Sequence, residues 1–191
     1  GFEKNPGFKI SFSMIDRSMK ALMLGDLLMK CLYRVRPYEA VSGAANEIYE
    51  KWSRYIEKNL KSMSFIKYRS TIRRIVRDFS KLPLLPLQKA RIGVVGEILV
   101  KFHPTANNQI VETIEREGAE CVMPDLADFF FYSFSTGIFR HKELAFPKKT
   151  ERNARLLVWG LELYRGKMKK YLRRSRRFEA PSSIYSLMKG V

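Results

Sequence analysis

The stretch RIGVVGEILVKFHPTANNQIVETIEREGAECVMPD, residues 91–125, constrains the fold most. Ile92-Gly93-Val94-Val95-Gly96 is short, apolar and β-branched, the composition of a buried strand. A polar loop with Pro104 follows at Lys101–Asn108. Ile110, Val111 and Ile114 then form a helical stripe that Gly118 stops. Ala119–Met123 is a second apolar run, closed by Pro124-Asp125. Strand, loop, helix and strand over this length predict one βαβ unit, which pairs its strands in parallel. The expected fold class is therefore α/β: helix-rich, with a small parallel sheet built on a βαβ unit and several flanking helices. Ligands of open parallel sheets gather beyond the carboxyl ends of the strands, which here is the loop from Glu97 to Asn108. Its polar candidates for ligand binding are Glu97, His103, Thr105, Asn107 and Asn108. Backbone amides at the start of the 108–117 helix add an anion-binding option. The competing use of Thr105, Asn107 and Asn108 is simply to cap that helix.

The rest of the chain reads as helices around this unit, in four parts: a helical part at 1–81, a Pro/Leu connector at 82–89, the βαβ unit with an aromatic helix at 90–136, and basic C-terminal helices at 148–191. After a leader with a turn at Asn5-Pro6-Gly7, Ser13 is placed to cap a helix with Asp16 as a capping-box partner. Ile15, Met19, Met23, Leu27, Leu28 and Cys31 give it a buried face to about Tyr33. Tyr33-Arg34-Val35-Arg36-Pro37-Tyr38-Glu39 is expected on a turn, where arginines could grip phosphate beside tyrosines or merely carry surface charge. A second helix begins at Ser42 or Asn46, with Ile48, Trp52, Tyr55, Ile56 and Leu60 on one face; a third spans about Ser70–Phe79, with Ile72, Ile75, Val76 and Phe79 inward. Pro83 and Pro86 bar 81–87 from a central strand. Asp125 is placed to cap an aromatic helix through Phe134 that is buried all round or closes over a partner, ending at Gly137. His141–Lys149 reads as a connector. Thr150 caps the last long helix, with Leu156, Leu157, Leu161, Tyr164, Met168, Tyr171 and Leu172 inward, and Ala180–Ser183 starts a short final one.

Charge narrows the choice of partners. Lys and Arg number 36 against 19 Asp and Glu, a net of +17. Such an excess favours an anionic partner, or acidic neighbours within a longer chain. It is densest in Arg165, Lys167, Lys169, Lys170, Arg173, Arg174, Arg176 and Arg177, of which the helix dipole accounts for only a few. Arg165, Lys169, Lys170, Arg173, Arg174, Arg176 and Arg177 are the expected basic surface. No run is apolar enough to span a bilayer, and no secretory leader opens the chain. Cys31 and Cys121 are too few for a disulfide framework, so a reducing cytoplasm is expected. His103 and His141 have no partner at metal-ligand spacing, so no metal site is expected. No nucleophile elbow, Walker loop or dinucleotide fingerprint is present, so no catalytic residue is assigned. A start at Gly1-Phe2 and an end at Gly190-Val191 suggest a segment of a larger protein, with Gly1 a tag remnant.

The segments GFEKNPGFKISF, MKALMLGDLLMKCLYRVRPYE and NEIYEKW, and above all residues 91–134, resemble the C-terminal region of large proteins related to 2-hydroxyacyl-CoA dehydratases, 2-hydroxyglutaryl-CoA dehydratase among them, and their activases. The combination GEI-x-V-x-F-x-P-x-ANN followed by EGAE carries most of the likeness, and RRFEAPSSIYSLMKG adds to it. The resemblance implies a lyase-type system in which an ATP-hydrolysing activator feeds an electron to a dehydratase component. That component holds a four-iron four-sulfur cluster and is built from Rossmann-like α/β lobes. The cluster cysteines and the activator's glycine-rich loops have no match here, so the iron-sulfur cluster and ATP are implied for other parts of the full-length protein and no cofactor for this segment. The expected role is a scaffold lobe, or a lobe that binds a CoA ester or another domain of its own chain, inactive alone and away from membranes. Two alternatives compete. One is a nucleic-acid-binding module using the basic C-terminal helix, for which no helix-turn-helix, RNP or zinc signature speaks. The other is a pure interaction domain docking through Phe129–Phe134.

Overall fold

The computed structural model describes residues 11–144 and 147–182, with the backbone alone at 137, 139–144 and 150. Helix α1 spans Phe12–Val35, α2 Ala44–Asn59 and α3 Phe65–Ser80. Strand β1 is Arg91–Gly93, followed by α4 at Ile98–Phe102, α5 at Ile110–Arg116 and strand β2 at Glu120–Val122. Helices α6, Leu126–Leu144, and α7, Lys148–Ser175, complete the fold. It is helix-rich, with a small sheet in which β1 and β2 run parallel, Ile92 opposite Cys121.

Most helix starts have a visible local cause. The Ser11 hydroxyl accepts from the Met14 amide at 3.1 Å, so Ser11 rather than Ser13 caps α1. Asp16 is no capping-box partner: it binds the Lys20 ammonium and the Tyr164 hydroxyl, each at 2.6 Å. Ser64 caps α3, which begins at Phe65, five residues before its expected start. The Glu39 carboxylate accepts from the Gly43 and Ala45 amides and so organises the entry to α2. The connector at 82–89 forms no central strand; it meets the segment after α1 through one antiparallel bridge, Glu39 to Leu84.

Helix α1 lies at the centre of the main core. Leu24, Leu27, Cys31 and Leu32 pack with Trp52 of α2, Tyr68, Ile72, Ile75 and Phe79 of α3, Phe131 of α6 and Leu161 and Met168 of α7. Elements from both halves of the chain thus share one core, whatever divisions the sequence suggests. A second, smaller cluster of Val111, Ile114, Ala119 and Cys121 sits under the sheet, and Tyr33 packs against both.

Several expectations are corrected. β1 is a three-residue, solvent-exposed strand rather than a buried one, with Ile92 and Val95 exposed. Tyr33–Val35 belong to the last turn of α1, not to a turn between helices. α6 is not buried all round: Phe131 is buried, but Phe129 and Tyr132 are exposed, and the helix continues through Gly137 to Leu144, which takes in part of the expected connector. On α7 the expected Leu161, Met168 and Leu172 are buried and Tyr164 and Tyr171 pack against the core, but Leu156 and Leu157 are exposed and Ala154, Val158 and Arg165 are buried instead. The helix follows Pro147 rather than a Thr150 cap. The leader turn at Asn5-Pro6-Gly7 and most of the expected final helix lie outside the described residues.

Candidate functional site

One row of α1 positions the charged groups that matter. Asp26, Lys30 and Arg34 follow at four-residue steps and therefore share a face. That face meets β2 and the start of α6. The Asp26 carboxylate accepts from the Leu126 and Ala127 amides at 2.8 and 2.9 Å, so α6 is capped by a residue of α1. Burial, reinforced by the neighbouring Asp125, pushes the Asp26 carboxyl up to about 7. Asp125, expected to cap α6, instead pairs with Lys30 at 2.8 Å and with the buried Arg165 at 3.2 Å.

At the other end of the row is Glu120, the first residue of β2, with a side chain only 2 % exposed. Its carboxylate accepts from Arg34, from the Tyr38 hydroxyl at 2.8 Å and from Arg91 Nε at 3.2 Å. Three donors on one buried carboxylate hold both guanidinium groups in place, because a charge removed from water has to be matched locally. Arg91 turns its remaining nitrogens outward onto Glu179, at 2.8 and 3.1 Å.

Two clefts open on this framework. The first is lined by Lys30, Tyr33, Arg34, Arg91 and β2, with Phe178 and Glu179 at its rim. The second lies between Met29 and Tyr33 of α1, the loop residues Lys101, Phe102, Pro104 and Asn107, and Val111 and Glu112 of α5. Tyr33 and Met123 line both. Burial raises the Tyr33 phenol to about 12, so it faces the clefts neutral, as a hydrogen-bonding group with an apolar ring.

The loop candidates divide sharply. Asn107 reaches the second cleft, but its side chain already donates to the Lys101 carbonyl at 2.9 Å and accepts from the Ile110 amide at 3.2 Å. Glu97 caps the five-residue α4, accepting from the Leu99 and Val100 amides, a helix the sequence reading took for loop. His103 Nδ1 accepts from the Ala106 amide at 3.3 Å. Thr105 and Asn108 are exposed and do not line either cleft. Left-handed backbone at Asn108 and Gln109 replaces a regular start to α5.

The expected basic surface is only partly surface. Arg165 is 1 % exposed, pairs with Asp125 and Asp128, and lies over the Phe131 ring at 4.8 Å. Lys169 is buried against Glu162. Arg177 donates to the Phe79 and Leu82 carbonyls, both at 2.9 Å. Carboxylates take up the first two of these charges and main-chain carbonyls the third, which leaves Lys170, Arg173, Arg174 and Arg176 in solvent.

Sequence reasoning missed Lys30, Arg91, Glu120 and Glu179. The available signal was a row of charged residues at four-residue spacing along a helix otherwise read as core-facing. No group of three or more His, Cys, Asp or Glu able to hold a metal occurs among the described residues, and no helix among them is long and apolar enough to cross a membrane. No family model, curated protein or solved structure matches the chain.

Proposed function

We propose that this chain is a scaffold lobe of a 2-hydroxyacyl-CoA dehydratase-related protein, Rossmann-like in its β1–β2 region, that binds part of a CoA ester or of a neighbouring domain and has no complete active site of its own. One observation carries this reading beyond the sequence resemblance. A cleft lined by Lys30, Arg34 and Arg91 lies beside a second one of mixed lining, and the two share Tyr33 and Met123. A CoA ester joins phosphates to a longer arm of alternating amide and methylene groups, so the cationic cleft suits the phosphates and the adjoining one the arm. The sheet's carboxyl-end loop contributes Lys101, Phe102 and Asn107 to the second cleft, in keeping with where ligands of parallel sheets bind.

The iron-sulfur cluster of the related proteins does not fit this segment. Such a cluster takes about four thiolates. This chain has two cysteines, both buried, and burial raises the Cys31 thiol far above its ordinary value and Cys121 to about 11. No step is therefore routed through a cluster or ATP, and both are assigned to other parts of the full-length protein.

Titration calorimetry with CoA tests the ligand half of the proposal. Saturable heat is expected, reduced about tenfold or more by Arg91→Gln and by Phe102→Ala, a loss of roughly 1.4 kcal/mol each. Absence of heat at millimolar CoA removes it. The four exposed basic residues of α7's end keep a nucleic-acid-binding reading as the second choice. A gel shift at low salt that disappears steeply as salt rises would favour it over the first.

A further inference from the structure

We infer that the first cleft is an anion-exchange site, in which the Glu179 carboxylate occupies the position of an external phosphate-class group held by Arg91, Arg34 and Lys30. The inference rests on the ligand-binding reading above and adds how that site is regulated.

The two carboxylates on Arg91 differ in kind. Glu120 is buried and takes donors from three residues, so it belongs to the framework. Glu179 is 76 % exposed and takes both of its donors from one guanidinium, itself 43 % exposed. Exposed pairs of that sort are held weakly and exchange with solutes, whereas a buried and fully bonded carboxylate does not. The bidentate fork that Arg91 offers to Glu179 is also the geometry that recognises two phosphate oxygens.

The surrounding charge supports the exchange. Glu179 is held below the usual carboxylate range first by its hydrogen bonds to Arg91, with Arg34 and Lys30 contributing through the field. Its carboxylate thus samples the potential of three cations. Two of their charges are matched behind the cleft, by Glu120 and by Asp125. When Glu179 leaves, one positive charge is unmatched at the mouth of the cleft, and an incoming anion supplies the balance. Phe178, buried just before Glu179, anchors the main chain there, so exchange requires only side-chain rotation.

Pyrophosphate is the probe, measured by calorimetry at low salt on the full chain. Glu179→Gln is expected to tighten it about three- to fivefold, the scale set by loss of one exposed competing pair. Glu57→Gln, on the exposed side of α2, adds the same net charge at a distance and is expected to leave affinity unchanged. Arg91→Gln, checked for folding by circular dichroism, is expected to abolish the gain from Glu179→Gln. Succinate in place of pyrophosphate separates phosphate from carboxylate recognition, and weaker binding of succinate is expected. Equal affinity in wild type and Glu179→Gln, equal tightening by Glu57→Gln, or undiminished binding in Arg91→Gln would each overturn the inference, because the anion then follows net charge or sits elsewhere. CoA binding that is indifferent to Glu179→Gln overturns the exchange but leaves the lobe reading standing. Pyrophosphate exchange without any CoA binding does the reverse.

Discussion

Asp26 is the residue with the clearest energetic consequence. Its carboxylate serves two amides of α6, yet it lies beside Asp125 with Asp128 further off, and Lys30 and Arg165 pair with those two rather than with Asp26. Because its folded pKa of about 7 lies above the ordinary value of 3.8, the native state binds this proton more tightly than the unfolded chain. Its stabilising contribution is therefore complete below about pH 4 and is lost as pH rises toward 7, an effect on the order of a few kcal/mol. Asp26→Asn keeps an acceptor for one amide and removes the charge, so it should flatten the dependence of the urea midpoint on pH between 4 and 7 and equal or exceed wild type above pH 7. Parallel pH profiles for the two proteins would refute this. At this scale the sequence was legible only in part. Asn107 and Glu97 were visible as polar residues of the right loop, but their atoms are engaged in local hydrogen bonds. Glu120 and Asp26 were invisible as partners because Arg34 and Tyr38 lie 86 and 82 residues from Glu120, and Leu126 and Ala127 lie 100 and 101 from Asp26, so only folding brings them together.

The inward faces of strongly periodic helices could be read directly, as with α1 and α3, whose inward residues Leu27, Cys31, Ile72 and Phe79 recur every three or four positions; their caps, Ser11 and Ser64, could not, because a serine signals a cap only once the helix start is known. α4 escaped because five residues carry no period. β1 was read as a strand, but an apolar β-branched run does not reveal that only three residues pair and that all three are exposed. On α7 the expected inner residues Leu161, Met168 and Leu172 are buried, but Leu156 and Leu157 are exposed, and Arg165, counted as surface, is buried by its ion pairs to Asp125 and Asp128. Arg165→Met keeps the volume but strands Asp125 with Lys30 alone, and breaking a buried pair in this way costs about 3–5 kcal/mol. Adding Asp125→Asn should return much of the loss, since the uncompensated charge is then gone. Denaturant midpoints of the single and double variants decide it: if the double variant is no more stable than Arg165→Met, the pair does not set the α6–α7 contact.

For the whole molecule the two cores are unequal, and this should govern how it moves. The main core draws on α1, α2, α3, α6 and α7, whereas the region from β1 to β2 has Val111, Ile114, Ala119 and Cys121 of its own. Each fully buried apolar side chain contributes roughly 1.5–3 kcal/mol, so the smaller cluster resists opening with a fraction of the larger one's total. What ties it down is largely polar: the two hydrogen bonds from Arg36 to Glu115, at 2.7 and 3.0 Å, and the contacts of Glu120 with Arg34 and Tyr38. Regions with few buried apolar contacts open locally before the protein unfolds. Native-state hydrogen exchange should accordingly find the amides of Ile114 and Glu115 opening at lower free energy than those of Leu27 and Cys31, which should follow global unfolding. A ligand spanning the clefts joins α1 to β2 and to the loop before α5, and stabilises the closed form in proportion to its saturation. Pyrophosphate on the Glu179→Gln protein should therefore slow exchange at Ile114 and Cys121 while leaving Ile72 and Ile75 of α3 unchanged. Uniform protection across both cores would mean that the molecule opens only as one unit, and the site would then have no softer half for a ligand to order.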